Sequence, residues 1–253
     1  MDLPAFALLV GAGLAAGTVN AAAGGGSLIT FPALIAVGLP PVSANVTNAI
    51  AVCPGYVAST VGSRDDLPRR RGLWRLVPTA VAGAVLGCVL LLITPPRAFE
   101  LIVPFLVISA AAVLGFQNQL RRLVGEPHDL PAGREQVSLQ AMTFFCAAYG
   151  GYFGAALGVM LVAGLALVLD EALNGVVALK NLLSAAVGVT TVAVFAIFGP
   201  VDWVAALAVA PATIVGGYVG ARVVRKLPPT VLRFGIVAFG VGIGVLLLAR
   251  ALR

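Results

Sequence analysis

Three asparagines, a lysine and a serine stand out because each interrupts an otherwise apolar stretch. Asn45 and Asn48 lie three apart, which puts both on one face of a helix. Side-chain amides donate hydrogen bonds to anionic oxygens without adding a fixed charge; buried asparagines equally well bind helices to one another. Lys180 is followed by Asn181, and Ser184 lies one turn on, on the face of Lys180. A charge at the centre of a membrane helix is disfavoured by roughly 2.5–3.5 kcal/mol, so such a residue points to function by default. Two readings stay open for Lys180: a counter-charge for an anion, or a stem that snorkels to the cytoplasmic headgroups. The last feature is backbone. "TVNAAAGGGSLITFP", residues 18–32, sets Gly24, Gly25 and Gly26 where a helix would otherwise run on. Broken backbone at membrane depth persists only where protein or a water-filled cavity covers it, so the triplet is expected to line something. A helix beginning at Ser27 aims its first amides at that point, and these favour an anion. The competing reading is that the glycines permit close helix packing.

What must position these residues follows from composition. Sixty per cent of the 253 residues are hydrophobic and 10% are charged, and the mean hydropathy is +1.05. Those values lie outside the soluble range and predict an integral membrane protein with no separate soluble domain. The N-terminus carries Asp2 and no basic region, so it reads as a first membrane segment and not as a signal peptide. The net charge of +6 comes from basic clusters between apolar runs, among them "RDDLPRRRGLWR" at 64–75 and "RVVRK" at 222–226. Topology anchoring accounts for them without nucleic acid. Membrane lipid is the expected surroundings, and four large apolar faces are compatible with a homo-oligomer.

Enzyme chemistry finds little to work with. All ten acidic residues fall at segment ends or in loops, and the sole histidine, His128, lies in the loop "GEPHDL". Cys53, Cys88 and Cys146 sit in separate runs without CxxC spacing, so no metal site, disulfide framework or cofactor is indicated. "GAGLAAG" at 11–17 imitates a dinucleotide loop, but no strand precedes it and no acid follows at the required distance. A relay of buried carboxylates, usual in proton pumps, is likewise missing from the sequence.

About 20 apolar residues cross a bilayer, which predicts spans near 42–62, 73–94, 98–120, 175–198, 203–225 and 229–250. Residues 3–38 and 136–170 are each too long for one span and short for two. After the triplet, "SLITFPALIAVG" has only 12 residues, about 18 Å of helix against a hydrocarbon core of about 30 Å. Sliding the chain against itself by 133 residues superposes the halves. Gly17, Gly25, Asn48, Gly55, Pro78, Gly83, Gly87, Pro95 and Pro96 then meet Gly150, Gly158, Asn181, Gly188, Pro211, Gly216, Gly220, Pro228 and Pro229. Each half is predicted to hold one glycine-broken hairpin, re-entrant or partly spanning, and three transmembrane helices. An odd number of crossings inverts the second half. The fold class is therefore all-α with two inverted-topology repeats: residues 1–120, a cytoplasmic linker at 121–135, and residues 136–253, in one membrane domain. With loop 63–72 inside, most basic residues fall on the cytoplasmic side, and the equivalent loop "GPVDW" at 199–203 carries none. Both termini are predicted outside.

"GTVNAAAGGGSLITFPALIAVGLPPVSANVTNAIA" and "GGYFGAALGVMLVAGLALVLDEALNGVVALKNLLSAAVG" resemble the two half-motifs of the TauE/SafE sulfite exporter family, the TSUP transporters, and the likeness covers essentially the whole chain. It implies a bacterial inner-membrane transporter of sulfite or organosulfonate anions such as sulfoacetate. The family motif maps onto Gly24, Gly25, Gly26, Asn45 and Asn48, and again onto Gly154, Gly158, Lys180 and Asn181. The second half departs from it in having "GAALG" in place of a glycine triplet. Combined with the residue reading, this predicts a midplane anion site between the Gly25 and Gly158 tips, formed by Gly24–Ser27, Asn45, Asn48, Gly158, Lys180, Asn181 and Ser184 and worked by alternating access. The alternatives are an anion channel, a transporter of another small solute, and a membrane-embedded enzyme.

Overall fold

The helix break expected at the glycine triplet is present. The computed structural model describes residues 1–22, 25–68, 71–116, 132–169 and 171–223, with helical positions between 237 and 249. Helix α1 (Leu3–Ala22) stops before the triplet and α2 (Ser27–Ala36) starts after it. Gly25 holds φ +94°, a left-handed conformation that disfavours any residue with a Cβ by about 1–2 kcal/mol. Gly26 is required for a different reason. Its φ is ordinary, but a Cβ there would run into the Ala16 carbonyl of α1 and come within 2.8 Å of Asn20 Nδ2.

After a turn at 37–40 the chain enters α3 (Pro41–Gly62), with Pro41 at the first position, where a missing N–H is harmless. Two 3-10 turns, Arg64–Asp66 and Arg71–Arg75, lead to α4 (Leu76–Ile93), and α5 (Pro96–Gly115) follows. The second half repeats the pattern with α6 (Ala132–Tyr152), the short α7 (Leu157–Val168), α8 (Leu173–Phe198) and α9 (Trp203–Val223). The described residues contain no strand. Helix α6 takes in the last residues assigned to the linker, because Glu135 in its first turn complements the helix's positive end. Most of that linker, and the expected span 229–250 apart from scattered helical positions, lie outside the described residues.

Among the described residues, four helical stretches are long and apolar enough to cross a membrane: Leu3–Asn20, Gly72–Ile93, Pro96–Gly115 and Asn174–Phe198. Only 33% to 44% of each is buried, so most of their apolar surface faces outward, as in a multi-pass membrane protein. Expected span 42–62 forms the 22-residue α3 but is not one of the four. Ser43, Asn45, Thr47, Asn48, Ser59 and Thr60 make it less apolar, and the buried ones turn inward.

Lipid tails are as apolar as leucine, so helices here are held by close van der Waals fit, and small residues decide where. Helix α1 lies along α9, with Gly13 against Val209 and Ala212, and Gly17 against Thr213 and Gly217. Residue numbers rise together, so the two run parallel. Helix α4 lies along α6 in the same manner, with Gly83 against Phe144 and Ala147, and Gly87 against Ala148 and Tyr152. Helices α3 and α8 cross antiparallel: Asn181 bonds Ser63 at one end, and Gly188 meets Cys53 further along. Two buried cores result. One joins α1, α2, α3, α5 and α9 with the end of α4, the second break, Val159 of α7 and Phe195 of α8, and the other joins α6, α7 and α8 with α4. Each short-helix hairpin is thus completed by a helix from the other half.

Candidate site between the two helix breaks

The second break is placed differently from its expected position. Helix α6 ends at Tyr152, Gly154 takes φ +75°, and Ala156 takes φ +60° just before α7. Gly158, the sequence counterpart of Gly25, is buried in the first turn of α7, four residues past the left-handed glycine. At the end of α6 the Tyr149 carbonyl accepts from the N–H groups of both Phe153 (2.8 Å) and Gly154 (3.1 Å). Phe153 is anchored edge-on against Phe31 of α2, ring centroids 5.3 Å apart. That contact ties the second break to the helix that starts at the first.

Both breaks border one small cavity of about 20 Å³, room for about one water molecule. Its wall includes Ser27 from α2, Asn48, Val52 and Tyr56 from α3, Gly150, Phe153 and Gly154 from the second break, and Gly188 and Thr191 from α8. Ser27 and Asn48 are buried, and the Tyr56 side chain borders the cavity together with Ser27. Buried Thr30 donates its hydroxyl to Asn48 Oδ1. Among the described residues no hydrogen bond engages Asn48 Nδ2, which leaves it as a donor at the cavity. The Gly26 N–H is already taken, donating to Asn20 Oδ1 at 2.8 Å. The start of α2 therefore contributes mainly the positive end of its dipole. Among the described residues no charged side chain lines this cavity.

The other predicted residues are divided between places. Asn45 is buried and donates Nδ2 to the Tyr152 carbonyl at 2.8 Å, while its Oδ1 has no partner. Asn181 does not reach the cavity. It sits at the opposite end of the α3–α8 crossing, where Nδ2 donates to Ser63 Oγ at 3.0 Å and to the Ser59 carbonyl at 3.4 Å. Lys180 beside it is half-buried and has no ion pair or hydrogen bond among the described residues. Ser184, fully buried one turn on, has an unpartnered Oγ. Gly24 lies outside the described residues. Thr30, Tyr56, Thr191 and Asn20 belong to the site and were not expected there. For Tyr56 the signal is the spacing 48, 52, 56, one helical stripe running on from Asn48.

A larger cavity of about 330 Å³ opens at the far end of α2, between the 37–41 turn, Glu100 and Val103. Its one charged group among the described residues is the Glu100 carboxylate, which repels anions, so the small cavity is the better candidate for one.

Comparison with known proteins agrees with a membrane transporter. Residues 9–247 match the family model described as sulfite exporter TauE/SafE. The chain is 28% identical to the "Probable membrane transporter protein ORF9" of a Sinorhizobium species over 250 residues, covering 96% of this chain and 92% of that protein. It is 25% identical to a "Probable membrane transporter protein" of Haemophilus influenzae, with coverage of 90% and 88%. It is 27% identical to the "Probable membrane transporter protein YfcA" of Escherichia coli K12, with coverage of 84% and 76%. No solved structure matches the chain.

Proposed function

Because the chain belongs to the sulfite exporter TauE/SafE family, we propose that this membrane transporter moves sulfite or an organosulfonate such as sulfoacetate out across the bacterial cytoplasmic membrane. The observation that carries the reading is the cavity shared by the two breaks. There the positive end of α2, the Asn48 amide, and the Ser27 and Tyr56 hydroxyls offer hydrogen-bond donors without a fixed charge. Such a site holds a sulfonate group and still releases it.

Two inverted repeats working by alternating access fit the packing. Exchanging α1 with α6, α2 with α7, α3 with α8 and α4 with α9 turns the α1–α9 contact into the α6–α4 contact. Opposite directions of α3 and α8 are what an in-plane two-fold requires. With about 20 Å³ at its centre, the described form corresponds to an occluded state, smaller than its cargo. Rocking one half against the other would widen the cavity toward one side at a time. Lys180, with Asn181 and Ser184 at the inner end of α8, draws the anion in from the cytoplasm. Loop 63–75 lies inside and both termini outside, in keeping with the basic residues on that loop. A cell interior at negative potential favours outward movement of one anionic charge by about 2.3 kcal/mol per 100 mV.

The test is flux of radiolabelled sulfoacetate and sulfite in proteoliposomes, under potassium–valinomycin potentials of either sign. Flux that follows the potential and is lost in folded Asn48→Ala supports the reading. Folded wild type that moves neither anion overturns the choice of cargo. Conductance far above carrier turnover would make the protein a channel.

A further inference from the structure

We infer that Asn45 and the carbonyl end of α6 form a binding site for a small monovalent metal cation, next to the cavity that Gly150, Phe153 and Gly154 border. Asn45 is 2% exposed, and its Oδ1 has no hydrogen-bond partner. Reversing the amide would set oxygen against the Tyr152 carbonyl, so the 2.8 Å contact fixes Nδ2 as the donor and Oδ1 as the unpaired atom. A buried acceptor left unpaired is disfavoured, and it calls for a donor or a cation.

Its neighbourhood is rich in acceptors. Tyr152 is the last residue of α6, and a helix end presents carbonyls and the negative end of the dipole. The Phe153 and Gly154 N–H groups both turn back to Tyr149. Among the described residues, no backbone N–H from beyond the helix closes on the Gly150 or Gly151 carbonyls. Gly150, Phe153 and Gly154 border the cavity, so this unwound end faces the same space as Ser27 and Asn48.

Oxygen donors of this kind suit a hard cation, and broken-helix carbonyl ends hold alkali ions in other transport folds. The set contains no carboxylate, which disfavours a calcium-type divalent ion. Among the described residues no cluster of His, Cys, Asp or Glu offers a transition-metal site. A bound alkali ion also supplies a positive charge that the cavity's own side chains lack. The inference stands whether or not the cargo is an organosulfur anion.

The experiment is thermal unfolding of the purified full chain in detergent, followed by tryptophan fluorescence, with no organosulfur anion present. Sodium, lithium, potassium, ammonium or choline chloride is varied at constant ionic strength and chloride. Sodium is expected to raise the wild-type Tm saturably above choline, and Asn45→Ala to raise the half-saturating concentration at least roughly tenfold. Asn45→Asp, which keeps an oxygen and adds charge, is expected to lower it, and it serves where the alanine variant does not fold. The inference is overturned by a wild type that answers no alkali ion specifically, the result if a water satisfies Oδ1. A rise given by ammonium but not sodium, or a half-saturation unchanged in the Asn45 variant, also overturns it. A sodium response without anion flux removes the cargo assignment alone; flux without a sodium response removes the cation site alone.

Discussion

The Thr30 hydroxyl donates to Asn48 Oδ1, joining the short helix α2 to α3 at a point where both side chains are buried. This bond decides what Asn48 shows the cavity: with Oδ1 occupied, the amide's N–H groups are what remain. Asn48→Asp keeps the acceptor for Thr30 but replaces those donors with a second oxygen. A hydrogen bond to a charged group is worth about 1.5–3 kcal/mol, so Asn48→Ala is expected to weaken anion binding roughly 10- to 100-fold. Asn48→Asp should weaken it further. Flux titrations with both variants, alongside Tm, check the order; an aspartate variant that transports normally would remove Asn48 from the anion's path.

The adjacent glycines should differ in how they fail. At Gly25 an added Cβ makes ordinary contacts with Leu114 at 3.4 Å and Leu28 at 3.9 Å, so Gly25→Ala is disfavoured through its φ of +94°, by about 1–2 kcal/mol. At Gly26 the Cβ would meet the Ala16 carbonyl, and α2 must move away from α1. That shift also strains the Asn20 bond, and overpacking typically destabilises by about 1–3 kcal/mol. Accordingly Gly26→Ala should lower flux even where Tm recovers, because α2's start is displaced. Gly25→Asn, which tolerates a left-handed φ better than Ala, should be the milder substitution at its site. Flux and detergent melting curves on the three variants decide it.

Much of this was legible in the sequence, for a physical reason. Hydropathy and helix rise limit how far the arm after the triplet can reach, and a glycine triplet at the end of an apolar run leaves few other places for a turn. The second break was less legible. Gly150, Gly151, Gly154 and Gly158 all permit a turn, and which one takes it depends on where Phe153 finds Phe31 and on which carbonyls close, both tertiary facts. Asn181 misleads for a related reason. Positions matched by a repeat share a place in their own half, but Asn48 and Asn181 lie at opposite ends of an antiparallel crossing and meet different partners.

In its proposed role Lys180 acts at a distance, eight residues before the cavity-lining Gly188 on α8, about 12 Å along the helix axis. A unit charge about 12 Å from an anion, at an effective dielectric of 20, contributes about 1.4 kcal/mol before screening. Lys180→Ala should therefore raise KM for anion presented from the inner face by up to roughly tenfold, with kcat nearly unchanged, and Lys180→Arg should restore it. Raising ionic strength should narrow the gap between wild type and Lys180→Ala. Flux measured from each face of oriented vesicles checks this; an equal loss from both faces would place the lysine in the central site.

The proposed inverted repeat makes a prediction about stability that needs no substrate. Gly83 on α4 and Gly216 on α9 are counterparts at an offset of 133, and each abuts a backbone carbonyl of the first helix of the other half: Phe144 for Gly83, Leu14 for Gly216. Without a hydrophobic drive between helices in lipid, such close backbone approach is what holds α4 to α6 and α9 to α1. Alanine at either position forces the pair apart, and overpacking of this kind destabilises by about 1–3 kcal/mol. Equivalent surroundings imply equivalent losses, so Gly83→Ala and Gly216→Ala should lower Tm by similar amounts. The two sites lie in separate cores, so the double variant should show nearly additive losses. A large effect at one position and none at the other would mean that the two halves share a sequence pattern without sharing its packing.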